Sequence, residues 1–173
     1  MVALLISWKL NPTKEVKMSK ESGVFGLLGA IFLWVFWPST GNIPVNQFEK
    51  SLIISNKIFA LTGSCVTALA VSALIRENHR FNLGEDILCG TLAGGVIIGA
   101  SSGLITNSAA ALTIGCIGGA VCTICYAKLR HRVSEKLSLH DTCGVNNLHG
   151  IPGFLGGIFS AIIVASYQFD PMD

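Results

Sequence analysis

The sequence predicts an all-α protein, a polytopic transmembrane helix bundle of about five spans. Three observations carry that reading. Of 173 residues, 51% are hydrophobic against 13% charged, and mean hydropathy is +0.61, which places the chain among integral membrane proteins. Ile87 to Ala127 runs 41 residues without a charged side chain, whereas one bilayer crossing takes about 20. Lysine and arginine, finally, are gathered in flanks that alternate along the chain.

Residues 1–22 form a polar flank in which Lys9, Lys14, Lys17 and Lys20 stand against Glu15 and Glu21. The opening MVALLISWKL has no basic leader region and no small-residue cleavage site, so it does not read as a signal peptide. The first span is expected over 23–38, where GVFGLLGAIFLWVFWP ends in Trp34 and Trp37. Tryptophans there suit the membrane interface, and a pore-lining role fits as well. Pro38, Gly41 and Pro44 interrupt the helix.

A polar connection over 42–50 precedes the second span, 52–75, which carries Lys57 near its start. That lysine can snorkel to the headgroups or serve as a charge in a pore. The loop RENHRFNLGED places His79 between Glu77 and Arg80, on a solvated face. The third and fourth spans, 87–105 and 109–127, meet at Thr106, Asn107 and Ser108. Both are rich in glycine. Gly95, Gly99 and Gly103 recur every four residues, as do Gly115 and Gly119, and such spacing puts small residues on one helix face for close packing.

After a second basic loop, the fifth span runs from 144 to 169. Numbering the flanks across the membrane puts four, two and four Lys/Arg on one side; the other side has Lys50 and Lys57. The excess assigns the basic side to the cytoplasm, and an odd number of crossings follows.

The fifth span holds the residues with most chemistry. His149 lies inside an apolar, glycine-rich helix, and an ionisable group there normally faces a pore or a partner helix. A neutral imidazole donates from one ring nitrogen and accepts on the other, which suits passing a small polar molecule along a narrow path. A histidine simply hydrogen-bonded to a neighbouring helix is the competing reading. Asp141, just ahead of the span, can cap the helix through the free amides of Thr142, Cys143 or residues beyond. It can equally stabilise a cation at the mouth of a pathway. Pro152, with Gly150 and Gly153, loosens the helix after His149.

Six cysteines could suggest a metal or redox framework, yet five lie in apolar stretches, and Cys122 and Cys125 have no imidazole or carboxylate nearby in sequence. Packed thiols are the simpler reading. No HExxH, phosphate-binding glycine loop or GxSxG is present, so the sequence points away from an enzyme. A net charge of +2 gives no reason to expect a nucleic-acid partner.

LHDTCGVNNLHGIPGFLGGI (Leu139 to Ile158) resembles the signature of the Rh-type, Rhesus glycoprotein-like ammonium transporters. GLLGAIFLWVFWPS (Gly26 to Ser39) and TLAGGVIIG (Thr91 to Gly99) resemble two further stretches of that family. The resemblance implies two pseudo-symmetric, inverted halves per subunit and a trimer with one pore through each subunit. It implies conduction of ammonia, with ammonium deprotonated at the mouth, and no cofactor or metal. The five spans match the second half of a subunit, short of its last helix.

By the same resemblance His149 is one of two pore histidines, Asp141 the acidic residue beneath the pore, and Trp37 part of the outer vestibule. Asn146 and Leu148 complete the candidate transport residues; Gly95, Gly99, Pro152, Gly153 and Gly157 are the candidate structural ones. The chain departs from the family pattern at Thr40 and Gly41 (Phe-Asn), at Cys89 and Gly90 (Asn-Ala), and at Asn146 (His).

Two functions are therefore expected. One is ammonium or ammonia transport by an Rh-type channel subunit in the plasma membrane, in a homo- or hetero-trimer with complete Rh-like subunits. The alternative is a truncated, non-conducting membrane interaction module or a degenerate fragment of such a subunit.

Overall fold

Every stretch of regular structure among the described residues is helical, as expected where each backbone amide must find its partner inside its own segment. The computed structural model describes residues 20–40, 46–76, 83–130, 132, 141 and 144–168. The polar flank up to residue 19, the loop with His79, and Thr142 and Cys143 lie outside them.

Helix α1 spans Lys20–Phe36 and passes into a 3₁₀ turn, Trp37–Ser39, whose Pro38 is buried. Helix α2, Gln47–Ile75, starts five residues before the expected span. Asn46 explains the early start: its side chain accepts the Glu49 amide at 2.9 Å, one half of a capping box.

The third expected span is built differently. A π-helical stretch, Leu83–Gly90, leads into α3, Thr91–Ile98, and the chain then turns instead of continuing to 105. Ser101, Ser102 and Ile105 are nonetheless buried. Buried backbone that leaves a helix needs partners for its carbonyls. Asn56 on α2 supplies them, its Nδ2 donating to Ser102 O at 2.9 Å and to Ile105 O at 2.6 Å.

Helix α4, Ser108–Ile124, is capped by the Asn107 side chain and continues as a π-helical turn, Cys125–Leu129. A third π turn, Asn146–Gly150, opens α5, Ile151–Gln168. Among the described residues, four segments are long and apolar enough to cross a membrane: Glu21–Ser39, Gln47–Ile75, Ser108–Leu129 and Asn146–Tyr167; Asp86–Ile98 is shorter. Phe25, Phe32, Val35, Phe154 and Ile162 stand exposed on α1 and α5, which suits hydrocarbon surroundings.

The core sits where α2, α3 and α4 meet. A Cβ added to Gly115 would land on the Ala60 backbone and one added to Gly119 on that of Ser64, so α4 lies against α2 main chain to main chain. Gly94 brings α3 onto the same two residues. Ser64 Oγ then donates to Gly90 O at 2.5 Å and accepts from Gly94 N at 3.0 Å.

The packing glycines are thus Gly94, Gly115 and Gly119, with Gly156 of α5 closing on Ile97 O. Gly99 is exposed, Gly103 falls in the turn beyond α3, Gly153 meets only Val96 Cγ1 at 3.8 Å, and Gly157 has nothing within 4 Å. The expected stripe Gly95, Gly99, Gly103 is broken because the helix ends at Ile98. Cys122 and Cys125 are buried free thiols.

At the far end of α2, Arg76 grips the fully buried Asp86 with two nitrogens, Nε–Oδ2 2.7 Å and Nη2–Oδ1 2.8 Å. Ser72 Oγ donates to the same carboxylate. The paired geometry suits a charge that has left water.

Gly115→Val is expected to lower stability in detergent by at least about 2 kcal/mol through overpacking against α2. Gly157→Ala is expected to be neutral or stabilising by about 0.5 kcal/mol, because it only raises helix propensity. Unfolding followed by circular dichroism checks both.

Candidate pore site

The site lies where the end of α1, the middle of α3 and the start of α5 converge. Trp37 is placed by the 3₁₀ turn, which Thr40 closes: its amide and its hydroxyl both donate to Trp37 O, at 3.1 Å and 2.8 Å. The indole lies over Gly95, where a Cβ would come within 2.6 Å of Nε1. Gly95 is therefore required by an aromatic ring, not by helix packing.

Trp37 stacks on His149, with ring centroids 6.4 Å apart and planes 16° from parallel. That is within the range of offset-stacked aromatic pairs. Trp37 is half-buried and His149 exposed, so the imidazole lies at the open side of the bundle.

His149 sits in the π turn, where Ile151 N bonds to Asn146 O in place of the usual i−4 carbonyl. Pro152 gives the reason: without an N–H, and with its ring directed at the carbonyl four residues back, it disfavours a regular α turn there. Pro152 is itself fully buried and anchors the wide turn. The loosening expected after His149 thus falls around it.

Asp141 caps the segment. Its Oδ1 accepts Val145 N at 2.9 Å and its Oδ2 accepts Asn146 N at 2.8 Å. The chain enters through Gly144 at φ +67°, where a side chain would also strike the Tyr126 ring. The Tyr126 hydroxyl donates to Gly144 O at 3.0 Å, tying α5 to the end of α4.

Leu148 is packed against the Ala93, Cys122 and Tyr126 cluster. Asn146 is half-buried, its Oδ1 lying 2.8 Å from where a Gly150 Cβ would be. The structure therefore gathers Trp37, His149 and Gly95 at one point. Asp141 holds the start of the same segment through Val145 and Asn146, and Leu148 packs against a core cluster.

Sequence reading passed over the roles of Gly144, Gly156 and Tyr126. Among these only Gly144, between a cap candidate and an apolar helix, carried a recognisable signal of a left-handed entry. Among the described residues no three His, Cys, Asp or Glu side chains are grouped as metal ligands.

Such an arrangement, with long apolar helices packed around closely approaching glycines, defines a polytopic helical membrane protein. The family model described as "Ammonium Transporter Family" matches residues 1–172, and the chain belongs to that family. It is 39% identical over 151 residues to ammonium transporter Rh type A of Bos taurus, covering 87% of this chain and 35% of that protein. To ammonium transporter Rh type B of Mus musculus it is 35% identical over 169 residues, covering 94% and 37%.

Among solved structures it matches one described as Nitrosomonas europaea Rh50 and the mechanism of conduction by the Rhesus protein family of channels. The TM-score is 0.81 at 32% identity, over 94% of this chain and 43% of that one. The chain thus spans about a third of the length of the curated relatives it matches. These relatives are named for transport and conduction, not for catalysis.

Asp141→Ala is expected to cost about 1 kcal/mol of stability by freeing two helix amides. Asp141→Asn, which keeps one acceptor oxygen for the two amides, is expected to recover no more than about half of it. Thermal unfolding of the pair separates the cap from the charge.

Proposed function

We infer that this chain contributes the His149-bearing part of an Rh-type pathway for ammonia and ammonium across a membrane. The observation that carries the reading is the Trp37–His149 stack on the open side of the bundle, in a chain of the ammonium transporter family. A neutral imidazole held by stacking keeps both ring nitrogens available to donate and accept, which is what a polar molecule needs on leaving water.

Trp37 then forms one wall of the approach. Asp141 acts first as a helix cap, with its negative charge left near the entrance to the turn. Ammonia or ammonium is the transported species in this reading, and no cofactor takes part. The plasma membrane is the proposed location, with the basic flanks at 1–22, 76–86 and 128–141 on the cytoplasmic side. The proposed assembly is a homo- or hetero-trimer with complete Rh-like subunits.

A second reading is favoured by the open side itself. His149, Gly153 and Gly157 are exposed, so beyond the Trp37 ring and Val96 the face carrying the imidazole is left uncovered within the described residues. There the chain acts as a membrane interaction module without conduction of its own.

Flux decides between them. In vesicles carrying the assembled protein and a trapped pH dye, His149→Ala is expected to slow ammonia-driven alkalinisation at least about tenfold, equal to ~1.4 kcal/mol in the barrier. Its abundance in the membrane should be unchanged. Equal loss of flux and abundance would reduce His149 to a structural residue, and no flux from the unsubstituted chain would favour the interaction module.

A further inference from the structure

Lys57 is turned into the protein. It is 5% exposed and lies about three turns into α2, beside the Asn56 that holds the turn beyond α3. Its Nζ donates to the carbonyl of Thr40 at 2.6 Å. An amine taken out of water keeps such bonds firmly, because breaking one leaves a strongly polar group unsatisfied.

The acceptor is the residue that closes the turn on Trp37, through two donations to Trp37 O at 3.1 Å and 2.8 Å. Trp37 in turn rests on Gly95 and stacks on His149. A continuous series of contacts therefore runs from Lys57 through Thr40 and Trp37 to the imidazole. Thr40 stands where the Rh-type pattern has phenylalanine, so the hydroxyl that makes the second bond to Trp37 O comes with that departure.

We propose that Lys57 is a positioning residue: by holding the Thr40 carbonyl it fixes the 3₁₀ turn that seats Trp37 on His149. Its relevance to conduction rests on the pore reading above, but the placement of the ring does not, and the two are tested apart.

The test uses the full chain in detergent micelles with 5-fluorotryptophan at its tryptophans, the Trp37 resonance being assigned with Trp37→Phe. His149→Ala removes the stacked ring and shifts that ¹⁹F resonance. In Lys57→Met the shift caused by His149→Ala is expected to fall to less than about half, as coupled positions require in a double-mutant cycle. In Lys57→Arg, which can still donate to Thr40 O, it is expected to persist.

A full-sized shift in Lys57→Met overturns the proposal. Should Lys57→Met lose its helical dichroism, the reciprocal measurement decides without a change at position 57. Trp37→Ala should then speed acetic anhydride labelling of Lys57 several-fold, and unchanged protection overturns the proposal. Flux enters neither measurement, so a chain that does not conduct leaves the assignment standing.

Discussion

The arrangement depends on one close approach. Ala60 and Ser64, a turn apart on α2, carry α4 through Gly115 and Gly119 and α3 through Gly94. Within a membrane there is little hydrophobic drive between helices, so association comes from van der Waals fit and from polar groups paired across the contact. Ser64 provides both: its small side chain permits the approach, and its hydroxyl bridges Gly90 O and Gly94 N. Once α3 is fixed there, Gly95 is turned toward Trp37 and Ile97 toward Gly156 of α5. The Trp37–His149 ring pair thus depends on contacts made by the neighbouring residue of α3.

The two ends of α2 are secured by different chemistry. Near its start, Asn56 and Lys57 hold non-helical segments by their carbonyls. At its far end, Arg76 and Ser72 hold the Asp86 carboxylate at the start of the next helix. Polar side chains in an otherwise apolar helix are used here for the backbone that departs from helix, where no water would satisfy it. This division explains how so short a helix as α3 can be held in place.

Much of this was legible in the residues, and the reasons for the remainder are specific. The apolar runs and their charge flanks announce a helical membrane bundle because length and hydropathy are properties of segments. His149 and Trp37 stand out for similar reasons, one as an ionisable group in an apolar helix and one beside a proline. Their contact does not, since it joins residues 112 positions apart. The glycine spacing was misleading in α3: a four-residue repeat identifies a face only while the helix lasts, and it ends at Ile98. Lys57 near a span end suggests snorkelling, whereas a carbonyl of a separate turn lies within its reach. The Asn46 cap was present as Asn-x-x-Glu and could have moved the start of α2.

The π turn at Asn146–Gly150 has a bearing on how this region can change over evolutionary time. A π turn contains one residue more than the α turn it replaces. Loss of any single residue between 146 and 150 would let regular helix form and would rotate everything upstream by about 100° relative to α5. Asp141, Gly144 and the Tyr126 bond would then all be out of phase with the helix they anchor. A side-chain exchange in the segment leaves these backbone bonds in register, whereas a change in the number of residues between Asp141 and Pro152 shifts the cap against α5.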